Sequence, residues 1–127
     1  MKKSLKGFTL VEIMIVVAII GIIIAIAVPA FLRARENSRG RACQENLTKI
    51  DGAKEQYALE FRLPDGGAAT MASLIQPNGV PVGEGYLKRT PICPSGGAYT
   101  EGAIGADPTC SFVSTKTWAV PHRIPTN

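Results

Sequence analysis

The chain has 127 residues and a formal net charge of +4, a length that suits one small domain rather than two. Three of its 14 basic side chains, Lys2, Lys3 and Lys6, precede Phe8, so the remaining chain carries 11 basic and 10 acidic side chains and a net charge of +1. This balance argues against a nucleic-acid partner, and three cysteines are too few for a disulfide-rich scaffold.

The first predicted element is an apolar helix near the N-terminus. Residues 13–32 contain no charged side chain. At about 1.5 Å per residue this stretch forms about 30 Å of helix, which is roughly the hydrocarbon thickness of a bilayer. We therefore expect a membrane-spanning segment. Glu12 lies at its edge, and a carboxylate next to lipid needs a partner.

Two ordinary interpretations of this segment are a secretory signal peptide and a simple membrane anchor. A secretory signal has an apolar core of about 7–15 residues and a small-residue cleavage site after that core. Ala25, Ala27 and Ala30 imitate such a site, but the apolar core here is longer than a signal peptide needs. In a simple anchor, Glu12 would extend to the lipid headgroups.

The sequence KGFTLVE at residues 6–12, followed by the long apolar helix, resembles the N-terminus of type IV prepilins and type II secretion pseudopilins. The resemblance covers residues 3–32. It implies a basic leader peptide at residues 1–7, a cut between Gly7 and Phe8, and N-methylation of Phe8. The acidic residue of the family falls on Glu12, and its helix-bending glycine and proline fall on Gly21 and Pro29.

The resemblance also implies an assembly. The new α-ammonium of Phe8 in one subunit would pair with Glu12 of its neighbour and set the register of a helical filament. Residues 8–32 would be the transmembrane and filament-core helix, and residues 33–127 a periplasmic or extracellular globular domain. The implied partners are other copies of the chain, membrane lipid before assembly, the prepilin peptidase/methyltransferase, and an inner-membrane pilus or secretion assembly platform.

The charges beside the apolar run do not orient it in the membrane. Three lysines precede the run, and four arginines follow it at positions 33, 35, 39 and 41. The positive-inside rule therefore gives no clear answer. The leader motif instead implies a single-pass protein of the bacterial inner membrane with its N-terminus in the cytoplasm.

The helix is predicted to continue to Phe61 as an amphipathic segment. Its apolar side chains recur every three or four residues, as on one stripe of a helix. They are Cys43, Leu47, Ile50, Ala53, Tyr57 and Phe61. The pairs Glu45–Lys49 and Asp51–Lys54 are expected to be surface ion pairs. The turn-forming residues 63–67 (LPDGG) are expected to follow the end of the helix.

The remaining chain is predicted to cover this stripe. Residues 64–85 favour a loop with one helical turn at 71–75, because Gly, Pro and Ala dominate around a short apolar island. Residues 98–100 and 110–114 have strand character, and 116–120 is a candidate further strand. The expected fold class is α+β, a long helix packed against a two- or three-stranded antiparallel sheet.

Cys93 and Cys110 bracket the predicted hairpin and are expected to form a disulfide. A bridge that closes about fifteen residues contributes on the order of 3 kcal/mol in the chain-entropy description. Cys43 lies on the apolar stripe, where a free buried thiol is common. The residues alone leave the pairs Cys43–Cys93 and Cys43–Cys110 open.

The sequence contains no recognisable catalytic constellation. The three cysteines and the lone His122 lack zinc-ligand spacing, and His122 is expected to be solvated in a proline-flanked tail, so no metal or cofactor is predicted. Glu101 and Asp107 make only a thin oxygen pattern for calcium. Basic and aromatic residues at 86–89 and 116–118 are expected to be plain surface rather than contacts to DNA.

These features predict a structural subunit of a type IV-like filament and not an enzyme. The leading form is a pilin of a surface pilus used in adhesion, motility or DNA uptake. The alternative is the major pseudopilin of a type II secretion system, which drives protein export. A distinct class is a membrane-anchored binding module that does not polymerise.

Overall fold

The computed structural model describes residues 7–77, 79, 81 and 84–125. Residues 1–6 of the predicted leader peptide 1–7 lie outside the described residues. The described elements are α1 (Leu10–Phe61), α2 (Met71–Ile75), β1 (Tyr99–Thr100) and β2 (Thr109–Cys110). The chain divides into two compact units, Met1–Arg35 and Glu36–Asn127, and α1 contributes to both of them.

The first unit contains the apolar part of α1. An 18-residue window of this helix has a mean hydropathy of 3.1, and none of that window is buried. Among the described residues, α1 is the one helix long and apolar enough to cross a membrane. Gly21 and Pro29 both lie inside it, and the bend expected from them stays a prediction.

The second unit is built on residues 36–61 of α1, and the predicted stripe is confirmed there from Cys43 to Ala53. The buried positions of this helix recur mostly three or four residues apart, as one face of a helix requires. They are Gly40, Cys43, Leu47, Ile50, Ala53, Lys54 and Ala58. At the end of the stripe, Tyr57 is half-buried and Phe61 remains 39% exposed.

Two apolar clusters pack against this face of α1. The first joins α1 to α2 and to the chain around residues 87 and 104, and its buried members are Ile50, Ala53, Ala58, Ala69, Leu74, Leu87 and Ile104. The second consists of Cys43, Leu47 and Cys93, with Tyr99, Cys110, Phe112 and Ile124 partly buried around it. The predicted helical turn at 71–75 is confirmed as α2, whose N-terminus carries a capping box between Thr70 and Ser73.

The β part is smaller than predicted. β1 and β2 pair antiparallel, with Tyr99 opposite Cys110 and Thr100 opposite Thr109. The expected α+β fold with a small antiparallel sheet is therefore confirmed, with two strands. Residues 116–120, all of them described, form no strand. The backbone there is engaged with α1 instead, since Asn37 Oδ1 accepts a hydrogen bond from the N–H of Val120 at 3.1 Å.

Lys54 corrects the expectation of a surface ion pair with Asp51. Its side chain is only 1% exposed. Its Nζ lies 3.5 Å from Asp51 Oδ1, donates to the carbonyl of Ala103 at 3.1 Å, and also donates to the carbonyl of Ala106. The turn at residues 103–106 therefore supplies the acceptors that make a buried ammonium tolerable. The other expected pair, Glu45–Lys49, is confirmed as an exposed ion pair at 2.7 Å.

Candidate functional site

Thr9 and Glu12 cap the N-terminus of α1. Glu12 Oε2 accepts hydrogen bonds from the N–H of Thr9 at 2.8 Å and from its hydroxyl at 2.9 Å. The N–H of Glu12 donates to Thr9 Oγ1 at 3.3 Å. This reciprocal arrangement is a capping box. A Thr-x-x-Glu spacing before an apolar run is its sequence signal, and the interpretation of Glu12 from the sequence overlooked Thr9.

The apolar surface behind this cap is uncovered in the described structure. Phe8 is 85% exposed, Leu10 75% and Ile26 73%. Every residue from 7 to 35 is exposed. A contiguous apolar surface of this size is unusual on a soluble monomer and indicates a contact with lipid or with other chains.

The predicted processing residues lie at the start of this unit. Gly7 and Phe8 precede α1, and both are exposed. Cleavage and methylation at these residues stay predictions, as does the role of Glu12 in register.

The second unit brings the three cysteines together with His122. The sulfurs of Cys43, Cys93 and Cys110 and one ring nitrogen of His122 all lie within 4.8 Å of one another. Cys93 Sγ is 3.6 Å from His122 Nδ1. Cys43 is buried, as its place on the apolar stripe predicts. All three cysteines are free thiols, so the predicted Cys93–Cys110 disulfide is absent.

One further expectation about this cluster, that His122 is solvated, is wrong. His122 is 5% exposed and lies among the thiols rather than in solvent. The sequence spacing of the cysteines gave no sign of a metal site, yet their ligand atoms converge with that of His122. The physical reason is that α1, the turn at 91–97, β2 and the C-terminal segment each bring one ligand to the same point.

Burial controls the protonation of two members of the cluster. It raises the pKa of the Cys43 thiol to about 12, although a hydrogen bond from the Tyr99 hydroxyl acts in the opposite direction. It lowers the pKa of His122, against the influence of Glu36, so the ring is neutral at pH 7. A neutral imidazole has a nitrogen lone pair that can bind a metal ion.

Backbone donors act on the other two thiols. Burial by itself would raise the pKa of Cys93, but the N–H groups of Ser95 and Gly97, which hydrogen-bond to its sulfur, help to lower that pKa below its ordinary value. Burial raises the pKa of Cys110 despite a hydrogen bond from the N–H of Phe112.

Glu101, one of the two acidic residues of the thin oxygen pattern, contacts α2. Its carboxylate accepts a hydrogen bond from the N–H of Met71 at 2.5 Å, in the first turn of that helix. The one described group of three or more histidine, cysteine or acidic side chains that could hold a metal ion is the cysteine–histidine cluster.

Comparison with known proteins bears on the first unit and on the chain as a whole. Residues 2–28 match the family profile described as a prokaryotic N-terminal methylation motif. Type II secretion system core protein G of Pseudomonas aeruginosa is 32% identical over 104 residues, which cover 77% of this chain and 73% of that relative. The chain belongs to the type IV pilin and type II secretion pseudopilin family.

Other relatives of this pilin-family protein differ in how much of the chain they match. Core protein G of Vibrio cholerae is 33% identical over 107 residues, covering 78% of this chain and 73% of the relative. The type IV major pilin protein PilA of Myxococcus xanthus is 44% identical over 55 residues, covering 43% of this chain and 25% of the relative. No solved structure matches at a significant level.

The family resemblance expected from residues 3–32 is thus confirmed. The relatives are structural pilin and pseudopilin proteins rather than enzymes. Together with the apolar part of α1, membership of this family is consistent with a protein anchored in the inner membrane.

Proposed function

We propose that this pilin-family protein is a structural subunit that polymerises into a type IV pilus-like filament. The observation that carries the proposal is the uncovered apolar surface of residues 8–32, which is as long as a bilayer is thick and has no cover in the described structure. Lipid can cover this surface in the single subunit. The same surface of neighbouring copies can cover it in a filament built by repeating one head-to-tail contact.

Processing prepares this surface for assembly. In the proposal, prepilin peptidase removes residues 1–7 and the new N-terminus at Phe8 is methylated. The cut precedes the capping box of Thr9 and Glu12, so the mature chain retains the cap of α1. It also gains an ammonium group at Phe8, which pairs with Glu12 of a neighbouring subunit and fixes the register.

Glu12 therefore has two roles that can be separated by substitution. Glu12→Gln keeps a hydrogen-bonding side chain at the third position of the capping box but removes the charge. Glu12→Ala removes both. If charge pairing sets the register, both variants insert in the membrane, are cleaved at Gly7, and form few filaments. Glu55→Gln, the same change at an exposed position of α1, is the matched control and should assemble normally.

The measurements are leader removal by immunoblot, the mass of the mature N-terminal peptide, and electron microscopy of sheared filaments. Normal assembly of Glu12→Gln together with failure of Glu12→Ala would assign Glu12 to the helix cap alone. Normal assembly of both variants would contradict any assembly role for this residue. A mature chain that does not begin at methylated Phe8 would contradict the proposed processing.

Two kinds of filament fit the proposal. One is a surface pilus that serves adhesion, motility or DNA uptake, and the other is the pseudopilus of a type II secretion system. The secretion core proteins G of Pseudomonas aeruginosa and Vibrio cholerae align over about three-quarters of this chain and of their own length. The pilin PilA of Myxococcus xanthus aligns over 43% of this chain. The extent of these matches supports the secretion alternative.

Deletion of the gene separates the two. Loss of sheared surface filaments with an unchanged set of secreted proteins would identify a pilus. Loss of specific exported proteins, with no change in surface filaments, would identify a secretion pseudopilus. A deletion strain with neither defect, together with wild-type protein that stays a membrane-bound monomer, would contradict both and favour an anchored binding module.

A further inference from the structure

Four metal-ligating side chains from separate parts of the second unit meet in its interior. Cys43 comes from α1, Cys93 from the turn at 91–97, Cys110 from β2, and His122 from the C-terminal segment. Their ligand atoms all lie within 4.8 Å of one another. Cys43 is 0% exposed and Cys93 2%, so the cluster is closed on the side of α1.

We propose that Cys43, Cys93, Cys110 and His122 bind one Zn²⁺ ion as a structural site. Three thiolates and one imidazole are an established tetrahedral ligand set for structural zinc. Zinc bonds of about 2.3 Å to sulfur and 2.0 Å to nitrogen place a sulfur and a nitrogen about 3.5 Å apart, and two sulfurs about 3.8 Å apart. The distance from Cys93 Sγ to His122 Nδ1 is 3.6 Å, so this pair already has the required separation.

Backbone N–H groups act on two of the sulfurs. Those of Ser95 and Gly97 help to lower the pKa of Cys93, and that of Phe112 acts in the same direction on Cys110. Donors of this kind orient metal-bound ligands and stabilise their negative charge.

The backbone also makes room for the cluster. A Cβ atom on Gly97 would lie 2.6 Å from Cys110 Sγ, so only glycine allows the turn to approach β2 this closely. On the other side, the Tyr99 hydroxyl hydrogen-bonds to the sulfur of Cys43 and accepts from Asn46 Nδ2 at 3.2 Å. The third sulfur therefore has an oriented donor as well.

His122 is held in place by contacts on both sides. Its ring lies 4.5 Å from the ring of Phe112, centroid to centroid. The two residues before it are tied to α1, because the N–H of residue 120 donates to Asn37 Oδ1 at 3.1 Å and Gln44 Nε2 donates to the carbonyl of residue 121 at 3.0 Å. The histidine is thus positioned before any ion binds.

An ion has a way in from solvent. A groove of about 450 Å³ opens beside Cys110 and His122, and Arg123 also lines it. Cys110 is the least buried of the three thiols. The bound ion would join α1, the 91–97 turn, β2 and the C-terminal segment, so its binding free energy would add directly to the stability of this unit.

The test uses the untagged full-length chain, purified in detergent without chelators from cells supplied with zinc. Elemental analysis should give one zinc per chain, and alkylation of the denatured protein without reductant should modify three cysteines. Absence of zinc with one alkylated cysteine would overturn the proposal in favour of the Cys93–Cys110 disulfide. Absence of zinc with three alkylated cysteines would overturn it as well.

Variants distinguish an ion from a disulfide. Cys43→Ser should abolish stoichiometric zinc, whereas a Cys93–Cys110 disulfide would be indifferent to that change. Loss of a residue that only hydrogen-bonds to a metal ligand typically lowers metal affinity 10- to 100-fold. His122→Ala removes a ligand itself, so it should lower zinc affinity by at least this factor. His122→Cys should restore binding, because four cysteines also form a tetrahedral zinc set. Val113→Ala, an exposed change beside the groove, should bind zinc normally.

A measurement on the wild-type chain covers the case in which variants fail to fold. After removal of the metal with a chelator, addition of Co²⁺ should produce the visible absorption of tetrahedral thiolate-bound cobalt. Addition of Zn²⁺ should displace the cobalt and raise the melting temperature. Absence of the cobalt spectrum would contradict the site. These readings on the isolated chain do not depend on filament assembly.

Discussion

Replacing Lys54 by methionine removes a buried ammonium while keeping most of the volume of the side chain. Lys54 is 1% exposed, and its Nζ donates to the carbonyls of Ala103 and Ala106. Hydrogen bonds from a charged donor contribute about 1.5–3 kcal/mol each. Loss of both leaves two carbonyl groups without this donor. Methionine also relieves the desolvation of the ammonium, which offsets part of the loss.

We therefore expect Lys54→Met to lower the free energy of unfolding by about 2–4 kcal/mol. Lys49→Met is the matched control, because Lys49 lies on the same helix in an exposed ion pair with Glu45 at 2.7 Å. Exposed pairs contribute little, so the control should change stability by less than about 0.5 kcal/mol.

Urea unfolding of the full-length chain in detergent, followed by the fluorescence of Trp118, measures both variants. Trp118 belongs to the same unit as Lys54, so its signal reports the part of the molecule that the substitution affects. Equal stabilities of Lys54→Met and Lys49→Met would refute the reasoning. That result would mean that the carbonyls of residues 103 and 106 find other donors once Lys54 is gone.

Two glycines of α1 should respond in opposite directions to alanine. A Cβ on Gly40 would lie 2.5 Å from the carbonyl oxygen of Val120, so Gly40→Ala should lower the free energy of unfolding by about 1–3 kcal/mol. A Cβ on Gly52 would have nothing within 4 Å, so Gly52→Ala should raise the free energy of unfolding by about 0.5–1 kcal/mol. The same sign for both in urea unfolding would contradict this. Burial, together with the hydrogen bond to Glu60, raises the pKa of Tyr86 from 10.0 to about 12. The protonated hydroxyl therefore contributes its full stabilisation of the folded state below pH 10, and this contribution is lost as the pH rises through about 12. The difference in tyrosinate absorbance between wild type and Tyr86→Phe should titrate near 12, and a midpoint near 10 would disprove the contact.

Local patterns predicted the helices well. The end of α1 followed from the turn-forming residues 63–67, and α2 followed from an apolar island within a loop. These features depend on neighbours in sequence, because a helix is closed by hydrogen bonds between residues four apart. The capping box of Thr9 and Glu12 is equally local and could have been predicted from its spacing.

Contacts between distant parts of the chain were predicted less well. Residues 116–120 have strand character, but α1 rather than a neighbouring strand engages their backbone. Lys54 has the spacing of a surface residue, but it is buried because the carbonyls of a distant turn approach it. β propensity and charge spacing describe a segment alone and do not specify which surface packs against it.

By itself, the sequence determined the apolar part of α1 and the membership of the pilin and pseudopilin family, since length, hydropathy and the motif at residues 6–12 are all local properties. Only the tertiary structure decided the state of the cysteines. Their spacing favoured a disulfide across a hairpin, whereas the packing of four separate segments placed the three sulfurs and the ring of His122 within 4.8 Å of one another. That distance depends on how α1, the turn at 91–97, β2 and the C-terminal segment pack, which no short-range pattern encodes.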